Sequence, residues 1–285
     1  MVWIDVLKAL LYGIVEGITE WLPVSSTGHL ILLENWLPLG QGADFFSLFL
    51  VVIQFGAILA VVFLFFSELW PFLSRSATAG EGTMALGPLR MDKGKLSLWA
   101  KILVACVPAV IIGLLFDDFI EEHLHNHVTV AIMLIVVGAM FIVAEHLNRN
   151  KRPDVLTLSE ITYKHAIIIG LFQVIAAVLP GTSRSGATIL GAILIGLSRQ
   201  NAAKFTFFLA VPVMLGASLL RFLRLGFSYT GGQWLVLFIG TAVSFLVSMF
   251  AVKFLLNYVR NRDFKPFAYY RIALGVLVLL VFFIS

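Results

Sequence analysis

The sequence predicts an all-α polytopic membrane protein, an inverted-topology repeat with six transmembrane helices and two re-entrant helical hairpins. Three observations predict this fold class. The 285-residue chain is 60% hydrophobic and 13% charged, whereas a typical soluble domain has about 25% charged residues. Six apolar runs are long enough to cross a bilayer. Two further apolar segments, 157 positions apart, resemble each other and are interrupted by polar residues.

The six apolar runs define the predicted membrane spans. Each is about 20 residues long, the length that a helix needs to cross the hydrocarbon core. We expect spans at 45–66, 97–116, 128–147, 203–222, 233–254 and 266–284. The net charge of +4 gives no reason to expect a nucleic-acid partner, because the basic residues lie in the loops between the spans.

The two interrupted segments, 5–33 and 165–197, are predicted to be re-entrant hairpins. Each is apolar at both ends but carries Pro, Gly, Ser and Thr in the middle, so each reads as two short helices joined by irregular backbone. Such backbone at membrane depth is tolerated only where it is buried in protein or lines a polar cavity.

The distribution of basic residues predicts the orientation of the chain. Lys and Arg are concentrated in loops 67–96, 148–164 and 255–265, and are absent from 34–44 and 117–127. By the positive-inside rule, the first three loops face the cytoplasm and the other two face outward.

This orientation makes the two halves an inverted repeat. With three spans in each half, residues 151–285 start on the opposite side of the membrane from residues 1–150, and the two hairpins enter from opposite faces. The halves together form one integral membrane domain. Loop 67–96, which is rich in Ser, Gly and Thr, is predicted to be disordered.

The polar residues of the two hairpins can be aligned, and they suggest one shared site. The alignment matches four pairs at an offset of 157: Gly13 with Gly170, Glu16 with Gln173, Pro23 with Pro180, and Ser26 with Ser183. Polar groups at membrane depth are costly and are therefore functional candidates. Glu16 and Glu20 share a helical face, and two such carboxylates favour a bound proton or an oxygen-ligated divalent cation such as Mg²⁺ or Ca²⁺.

Short runs of Ser, Thr and Gly follow the proline of each hairpin and predict an anion site. The free N–H groups and positive dipole end of a helix N-terminus bind anions, and Arg184 adds a guanidinium that matches phosphate oxygens. The candidate substrate-binding residues are Ser25, Thr27, Thr182, Ser183, Ser185 and Thr188. Two alternatives stay open: the hydroxyl groups only cap helices, and Arg184 pairs structurally with Glu16 or Glu20.

Ser26 and His29 are three positions apart, which puts a nucleophile and a base within reach of each other on one helical face. A histidine near a membrane segment is otherwise usually a core or interface residue. Outside the hairpins, Glu145, Lys253 and Arg271 lie near span ends, where we expect their side chains to reach the membrane interface.

Three stretches of sequence carry a resemblance to a known family: Glu16-Gly-Ile-Thr-Glu20, Leu22-Pro-Val-Ser-Ser-Thr-Gly-His29 and Pro180-Gly-Thr-Ser-Arg-Ser-Gly-Ala-Thr-Ile189. With them, nearly the whole chain resembles the undecaprenyl-diphosphate phosphatase family of bacteria, also called the bacitracin-resistance protein family. The resemblance implies removal of the terminal phosphate of undecaprenyl diphosphate, which recycles the carrier lipid for peptidoglycan and cell-envelope synthesis. It also implies a divalent cation, the bacterial cytoplasmic (inner) membrane, and an active site that faces outward.

The family's motifs fall on specific residues of this chain. Its acidic motif matches Glu16 and Glu20, its first Ser/His motif matches Ser25, Ser26 and His29, and its second motif matches Ser183, Arg184, Ser185 and Thr188. The implied catalytic residues are Ser26, His29, Glu20 and Arg184, and Glu16 with Glu20 would bind the metal. Two routes stay open: attack by Ser26 with His29 or Glu20 taking its proton, and direct attack by water with His29 as the base.

The main alternative function is that of a secondary transporter or lipid flippase for an anionic substrate. Inverted repeats with broken helices and a midplane site are typical of transporters. A transporter needs the arginine and the helix ends, but it does not need a positioned nucleophile, so Ser26 with His29 favours the enzyme. The sequence leaves open whether the protein is a monomer or a homodimer.

Overall fold

The computed structural model describes residues 2–73, 82–86, 89–124, 126–225 and 229–284. The chain there is almost entirely helical. The helices are α1 (Val2–Thr19), α2 (Ser26–Trp36), α3 (Ala43–Leu64), α4 (Phe66–Leu69), α5 (Lys93–His123), α6 (His127–Leu147), α7 (Tyr163–Val178), α8 (Arg184–Leu194), α9 (Arg199–Leu225), α10 (Gly231–Asn261) and α11 (Lys265–Ile284). A 3₁₀ helix, Leu158–Glu160, precedes α7.

Six of these helices, α3, α5, α6, α9, α10 and α11, are long and apolar enough to cross a membrane. The prediction of six spans is confirmed, and the chain is a multi-pass membrane protein. Both α5 and α10 have 31 residues and extend well beyond the predicted runs. An apolar run marks only the part of a helix in hydrocarbon, whereas the backbone hydrogen bonds continue into the polar ends.

The loop between α4 and α5 contains a small antiparallel sheet, in the order β1 (Phe72–Leu73), β3 (Leu89–Asp92), β2 (Thr83–Leu86). The prediction of disorder for 67–96 is therefore wrong where the loop is described. Residues 74–81 and 87–88 lie outside the described part of the chain. The composition of the loop did not predict the sheet, because the stability of a sheet comes from pairing between strands, here with Met84 opposite Met91.

Helix packing follows a reciprocal pattern between the two halves of the chain. Helix α1 packs against α10, and α7 packs against α5; α3 contacts α10, and α9 contacts α5. Helices α6 and α11 pack against each other. Exchanging α1 with α7, α3 with α9, α5 with α10 and α6 with α11 reproduces this set of contacts.

Two glycines at equivalent positions permit these close contacts. A Cβ on Gly13 would lie 2.6 Å from the carbonyl oxygen of Gly240 in α10, and a Cβ on Gly170 would lie 2.5 Å from that of Ala105 in α5. Small residues let membrane helices approach closely enough for backbone packing. Both interrupted segments therefore lie directly against a long membrane-spanning helix.

Two of the three charged side chains that were predicted to reach the membrane interface are buried instead. Lys253 is exposed, but Glu145 is buried and accepts hydrogen bonds from the Arg199 guanidinium and, at 3.0 Å, from the Phe264 backbone N–H. Arg271 is 0% exposed. Position near the end of an apolar run did not reveal these partners, because they come from distant parts of the chain.

Candidate active site

Each interrupted segment forms two helices separated by a short turn, and each turn ends in a serine with positive φ. Ser25 has φ +72° and Ser183 has φ +68°, and they are the only non-glycine residues with positive φ in the described part of the chain. Each is a helix N-cap: Ser25 Oγ accepts from the N–H of Gly28 (3.4 Å), and Ser183 Oγ accepts from that of Gly186 (3.1 Å).

This geometry corrects the sequence alignment of the two motifs. Ser25, not Ser26, is the structural counterpart of Ser183, so the offset is 158 after the prolines and 157 before them. The second turn is one residue longer, which the offset of 157 did not allow for. The residues at the first position of α2 and α8 are therefore Ser26 and Arg184.

Ser26 and Arg184 both bind the carboxylate of Glu20. Ser26 Oγ donates to Glu20 Oε2 at 2.9 Å, and Arg184 Nη2 lies 2.8 Å from Glu20 Oε1 in an ion pair. The side chains of Arg184 and Glu20 are 14% and 9% exposed. The structure thus joins the two halves of the chain at one carboxylate, with a hydroxyl on one oxygen and a guanidinium on the other.

Arg184 is held in place by further contacts. Nη1 donates to the Thr206 carbonyl oxygen at 3.4 Å, and the guanidinium carbon lies 5.9 Å from the centre of a Trp21 ring. The pairing of Arg184 with Glu20 was one of the alternatives that the sequence left open. A guanidinium carries five N–H donors, so these contacts leave donors for an incoming anion.

Glu16 lies one helical turn before Glu20, and its carboxylate is fully buried. The N–H of Glu20 donates to the Glu16 carbonyl oxygen at 3.0 Å, so the helical turn continues past the end of α1. Neither carboxylate oxygen of Glu16 has a hydrogen-bond partner. Gln173, its counterpart in α7, is 2% exposed and equally without partners on its amide. An unpaired buried carboxylate is costly, and a cation would satisfy it.

The donor set bears on the predicted metal site. Within the described residues, no three side chains of His, Cys, Asp or Glu cluster as metal ligands. Mg²⁺ commonly binds through one or two carboxylates together with phosphate oxygens and water. Glu16 and Glu20 therefore fit a cation whose coordination is completed by substrate and water, and do not fit a site made of protein ligands alone.

His29 lies close to Ser26 in sequence but binds elsewhere. Its Nδ1 lies 2.8 Å from the Ser25 carbonyl oxygen and its Nε2 lies 2.8 Å from the Tyr270 hydroxyl, with the two rings stacked. Because a carbonyl only accepts, Nδ1 carries the proton. The structure brings Ser26 together with Glu20, and it does not bring His29 within a hydrogen bond of Ser26.

The predicted substrate-binding hydroxyl groups fall into three pairs. Ser185 donates to the Glu20 carbonyl oxygen (3.0 Å), and Thr188 donates to the Arg184 carbonyl oxygen (2.8 Å), so both hold backbone in place. Ser25 and Ser183 are the N-caps. Thr27 is half-buried near the start of α2, and Thr182 Oγ1 is buried without a hydrogen-bond partner.

Arg271 in α11 is a site residue that sequence reasoning missed. Its guanidinium donates to the carbonyl oxygens of Pro23 (3.1 Å) in the first turn, and of Gly181 (3.1 Å) and Thr182 (2.8 Å) in the second. Arg271 thus fixes both turns relative to each other. The available signal was a cation inside the apolar run 266–284 that has no acidic residue to pair with.

The chain is similar to known proteins over nearly its whole length. A family model described as "Bacitracin resistance protein BacA" matches residues 9–277. A protein of Desulfitobacterium hafniense named undecaprenyl-diphosphatase is 52% identical over 283 residues, covering 99% of this chain and 98% of its own. The undecaprenyl-diphosphatase of Enterococcus faecalis is 51% identical, covering 98% of both chains. Undecaprenyl-diphosphatase 1 of Clostridium acetobutylicum is 50% identical, covering 99% and 98%. The chain therefore belongs to the bacitracin resistance protein BacA family.

Proposed function

We propose that this protein is an undecaprenyl-diphosphatase, which hydrolyses undecaprenyl diphosphate to undecaprenyl phosphate and inorganic phosphate. The observation that carries the proposal is the carboxylate of Glu20, which binds the Ser26 hydroxyl on one oxygen and the Arg184 guanidinium on the other. In this proposal the Ser26 hydroxyl is the nucleophile, Glu20 is the base and the Arg184 guanidinium binds phosphate. Relatives about 50% identical over nearly the whole chain carry the undecaprenyl-diphosphatase name.

The hydroxyl of Ser26 is the nucleophile. Its oxygen attacks the terminal phosphorus while its proton passes to Glu20 Oε2, 2.9 Å away. The bond from that phosphorus to the bridging oxygen breaks, and undecaprenyl phosphate leaves. Water then attacks the phosphoserine, which releases inorganic phosphate and restores the serine hydroxyl.

Arg184 and the starts of α2 and α8 hold the diphosphate. The free guanidinium N–H groups match phosphate oxygens. The first backbone N–H groups of α2 and α8, next to the two turns, are also suited to bind an anion. The ion pair of Arg184 with Glu20 positions the guanidinium before the substrate arrives. Arg184 then stabilises the negative charge that develops on the phosphoryl oxygens.

Glu16 and Glu20 would hold a divalent cation, Mg²⁺ or Ca²⁺, together with oxygens of the diphosphate. When bound, this cation offsets the repulsion between the carboxylates and the substrate and withdraws charge from the phosphate. The buried, unpartnered oxygens of Glu16 support this assignment.

His29 positions the first turn in this proposal. Its bonds to the Ser25 carbonyl oxygen and to Tyr270 hold the N-cap residue next to Ser26. Direct attack by water with His29 as base is the second route. It would require Nε2 to leave the Tyr270 hydroxyl, and for this reason we place the attacking oxygen on Ser26.

The two interrupted segments are re-entrant hairpins of an inverted repeat, with boundaries near residue 150. The reciprocal packing of α1 on α10 and α7 on α5, and the matching turns at Ser25 and Ser183, support this topology. The basic loops support a cytoplasmic position for the ends of α6 and α10.

The protein would lie in the bacterial cytoplasmic membrane with its site open outward. There it would recycle the carrier lipid and confer bacitracin resistance.

Phosphate release by the purified protein in detergent tests the proposal. Undecaprenyl diphosphate is supplied with Mg²⁺ or Ca²⁺, and the wild type is compared with Arg184→Ala and with Arg260→Ala, an exposed arginine in the last turn of α10. We expect cation-dependent release that disappears in Arg184→Ala and persists in Arg260→Ala. Absence of release from folded wild-type protein would leave transport of an anionic lipid as the better account, to be measured in liposomes.

A further inference from the structure

A polar cavity lies at the other end of α8 from the candidate active site. Its volume is about 370 Å³, and its wall is formed by the linker after α6 and by the turn between α8 and α9. Helix α8 has 11 residues, so about 15 Å of helix separates Arg184 from this cavity. No residue of the proposed mechanism lines it.

The cavity is lined by more positive than negative charge. Arg149, Lys151 and Arg152 contribute to its wall, and none of them forms an ion pair within the described residues. Arg199, the fourth basic residue of the lining, is neutralised by Glu145. Asp154 is the acidic residue in the lining. Three unpaired cations against one carboxylate leave a net positive charge.

Backbone hydrogen bonds hold the two walls together. The N–H groups of Asp154 (2.9 Å) and Val155 (3.1 Å) both donate to the carbonyl oxygen of Gly196, and the N–H of Ser198 donates to that of Val155 (3.0 Å). Gly196 has φ +93°, and a Cβ there would lie 2.8 Å from Asp154 Oδ2. These bonds fix the backbone of the two walls relative to each other, and the exposed side chains of Arg149, Lys151 and Arg152 extend from that backbone.

The cavity lies between the ends of two candidate membrane spans and has an apolar side. The candidate span in α6 ends at Leu147 and the span in α9 begins at Arg199, and the lining residues follow the first and precede the second. Leu194, at the end of α8, is 42% exposed and lines the cavity together with the basic residues. Basic pockets between membrane helices are suited to lipid phosphate groups.

We propose that this cavity is a binding site for a phosphate group, carried by an anionic phospholipid or free as inorganic phosphate. Arg149 and Arg152 supply planar guanidinium groups and Lys151 supplies an ammonium, the groups that bind phosphate oxygens. The site lies on the side of the membrane that carries the basic loops, opposite the opening proposed for the active site. It is independent of the hydrolytic reaction.

Calorimetric titration of the purified full-length protein in detergent tests this site. The probes are a short-chain phosphatidylglycerol, a short-chain phosphatidylcholine and inorganic phosphate. The pocket variant is Arg149→Gln/Lys151→Gln/Arg152→Gln. The control variant, Lys164→Gln/Arg260→Gln/Arg262→Gln, also removes three exposed positive charges from basic loops, but none of them lines the cavity.

We expect the wild type and the control to bind one anionic probe, phosphatidylglycerol or inorganic phosphate, per chain, and the pocket variant to bind it at least about tenfold more weakly. Tighter binding of phosphatidylglycerol identifies the lipid as the ligand, and equal binding of inorganic phosphate identifies the free anion. Equal weakening in both variants would mean a diffuse surface charge and would overturn the proposal. So would the absence of binding by the wild type, or binding of phosphatidylcholine as tightly as phosphatidylglycerol. Thermal unfolding and phosphate release of each variant verify that it is folded.

Discussion

The turn between α1 and α2 and the turn between α7 and α8 end in the same kind of N-cap but carry opposite chemistry. Both bend at a serine with positive φ that caps the next helix. In the first segment Ser26 follows the turn and the carboxylates of Glu16 and Glu20 precede it, whereas in the second segment Arg184 follows the turn and the neutral amide of Gln173 lies in α7. Two segments with similar helix-turn-helix structure can thus contribute different side chains to one site. One segment supplies carboxylates and forms the acidic half, and the other supplies a guanidinium and forms the basic half.

Removing the nucleophile of the acidic half is expected to have the largest effect. Ser26→Ala should lower kcat by at least about 10³-fold, because the attacking oxygen is lost, while substrate binding is retained. Steady-state phosphate release and lipid binding measure the two effects. Ser97→Ala, in the first turns of α5, is the control and should match the wild type. Residual turnover above a tenth of wild type would exclude Ser26 as the nucleophile.

A double-mutant cycle tests whether the two halves act as one unit. Glu20→Gln and Arg184→Gln should each lower kcat/KM by about 10²- to 10³-fold, and the double variant should be little worse than the poorer single variant. This follows because each removes the same contact between the halves. Effects that multiply in the double variant would show that the acidic and basic halves contribute independently.

Loss of the Arg271 side chain, which links the two turns, should mainly lower the stability of the protein. Arg271→Met removes the donor to three carbonyl oxygens, from Pro23, Gly181 and Thr182, and we expect the free energy of unfolding to fall by about 2–3 kcal/mol. Arg260→Met, at an exposed position, should change it by less than about 0.5 kcal/mol. Equal effects of the two substitutions in chemical denaturation would contradict the role of Arg271 in holding the two turns together.

Exchanging the acidic and amide residues between the halves sharpens the comparison. Glu16→Gln should raise the half-saturating Mg²⁺ concentration for phosphate release by about tenfold or more, because a carboxylate ligand is lost. Gln173→Glu should leave that concentration unchanged but destabilise the protein by about 1–3 kcal/mol, because it buries a carboxylate without a partner. An unchanged cation response in Glu16→Gln would remove Glu16 from the metal site.

Substitution of the two N-cap serines, Ser25 and Ser183, should have the smallest effects on stability, and these effects should be equal in the two turns. Ser25→Gly and Ser183→Gly each lose a cap but relieve positive φ, so we expect a change in unfolding free energy within about 0.5 kcal/mol. The alanine variants lose the cap and keep the strain, which should cost about 1 kcal/mol more. Denaturation of the four variants measures this, and a strong asymmetry between the turns would break the structural equivalence.

Sequence patterns predicted the parts of the site that depend on local order. Glu16 and Glu20 are one helical turn apart, and Ser25 and Ser183 precede helices, because these relations follow from spacing and capping within a few residues. Long-range partners were not predicted in the same way. The spacing of Ser26 and His29 predicted that they pair, but tertiary contacts direct Ser26 to Glu20 and His29 to Tyr270.

The sequence by itself determined six membrane spans, two interrupted polar segments and the residue types available for phosphate chemistry, because hydrophobicity and turn chemistry act locally. Only the tertiary structure decided which of those residues meet. Glu20 joins Arg184 across 164 positions, and Arg271 reaches both turns from the last helix. Such contacts depend on how whole helices pack through close approach at residues such as Gly13 and Gly170, and no local pattern in the sequence encodes that geometry.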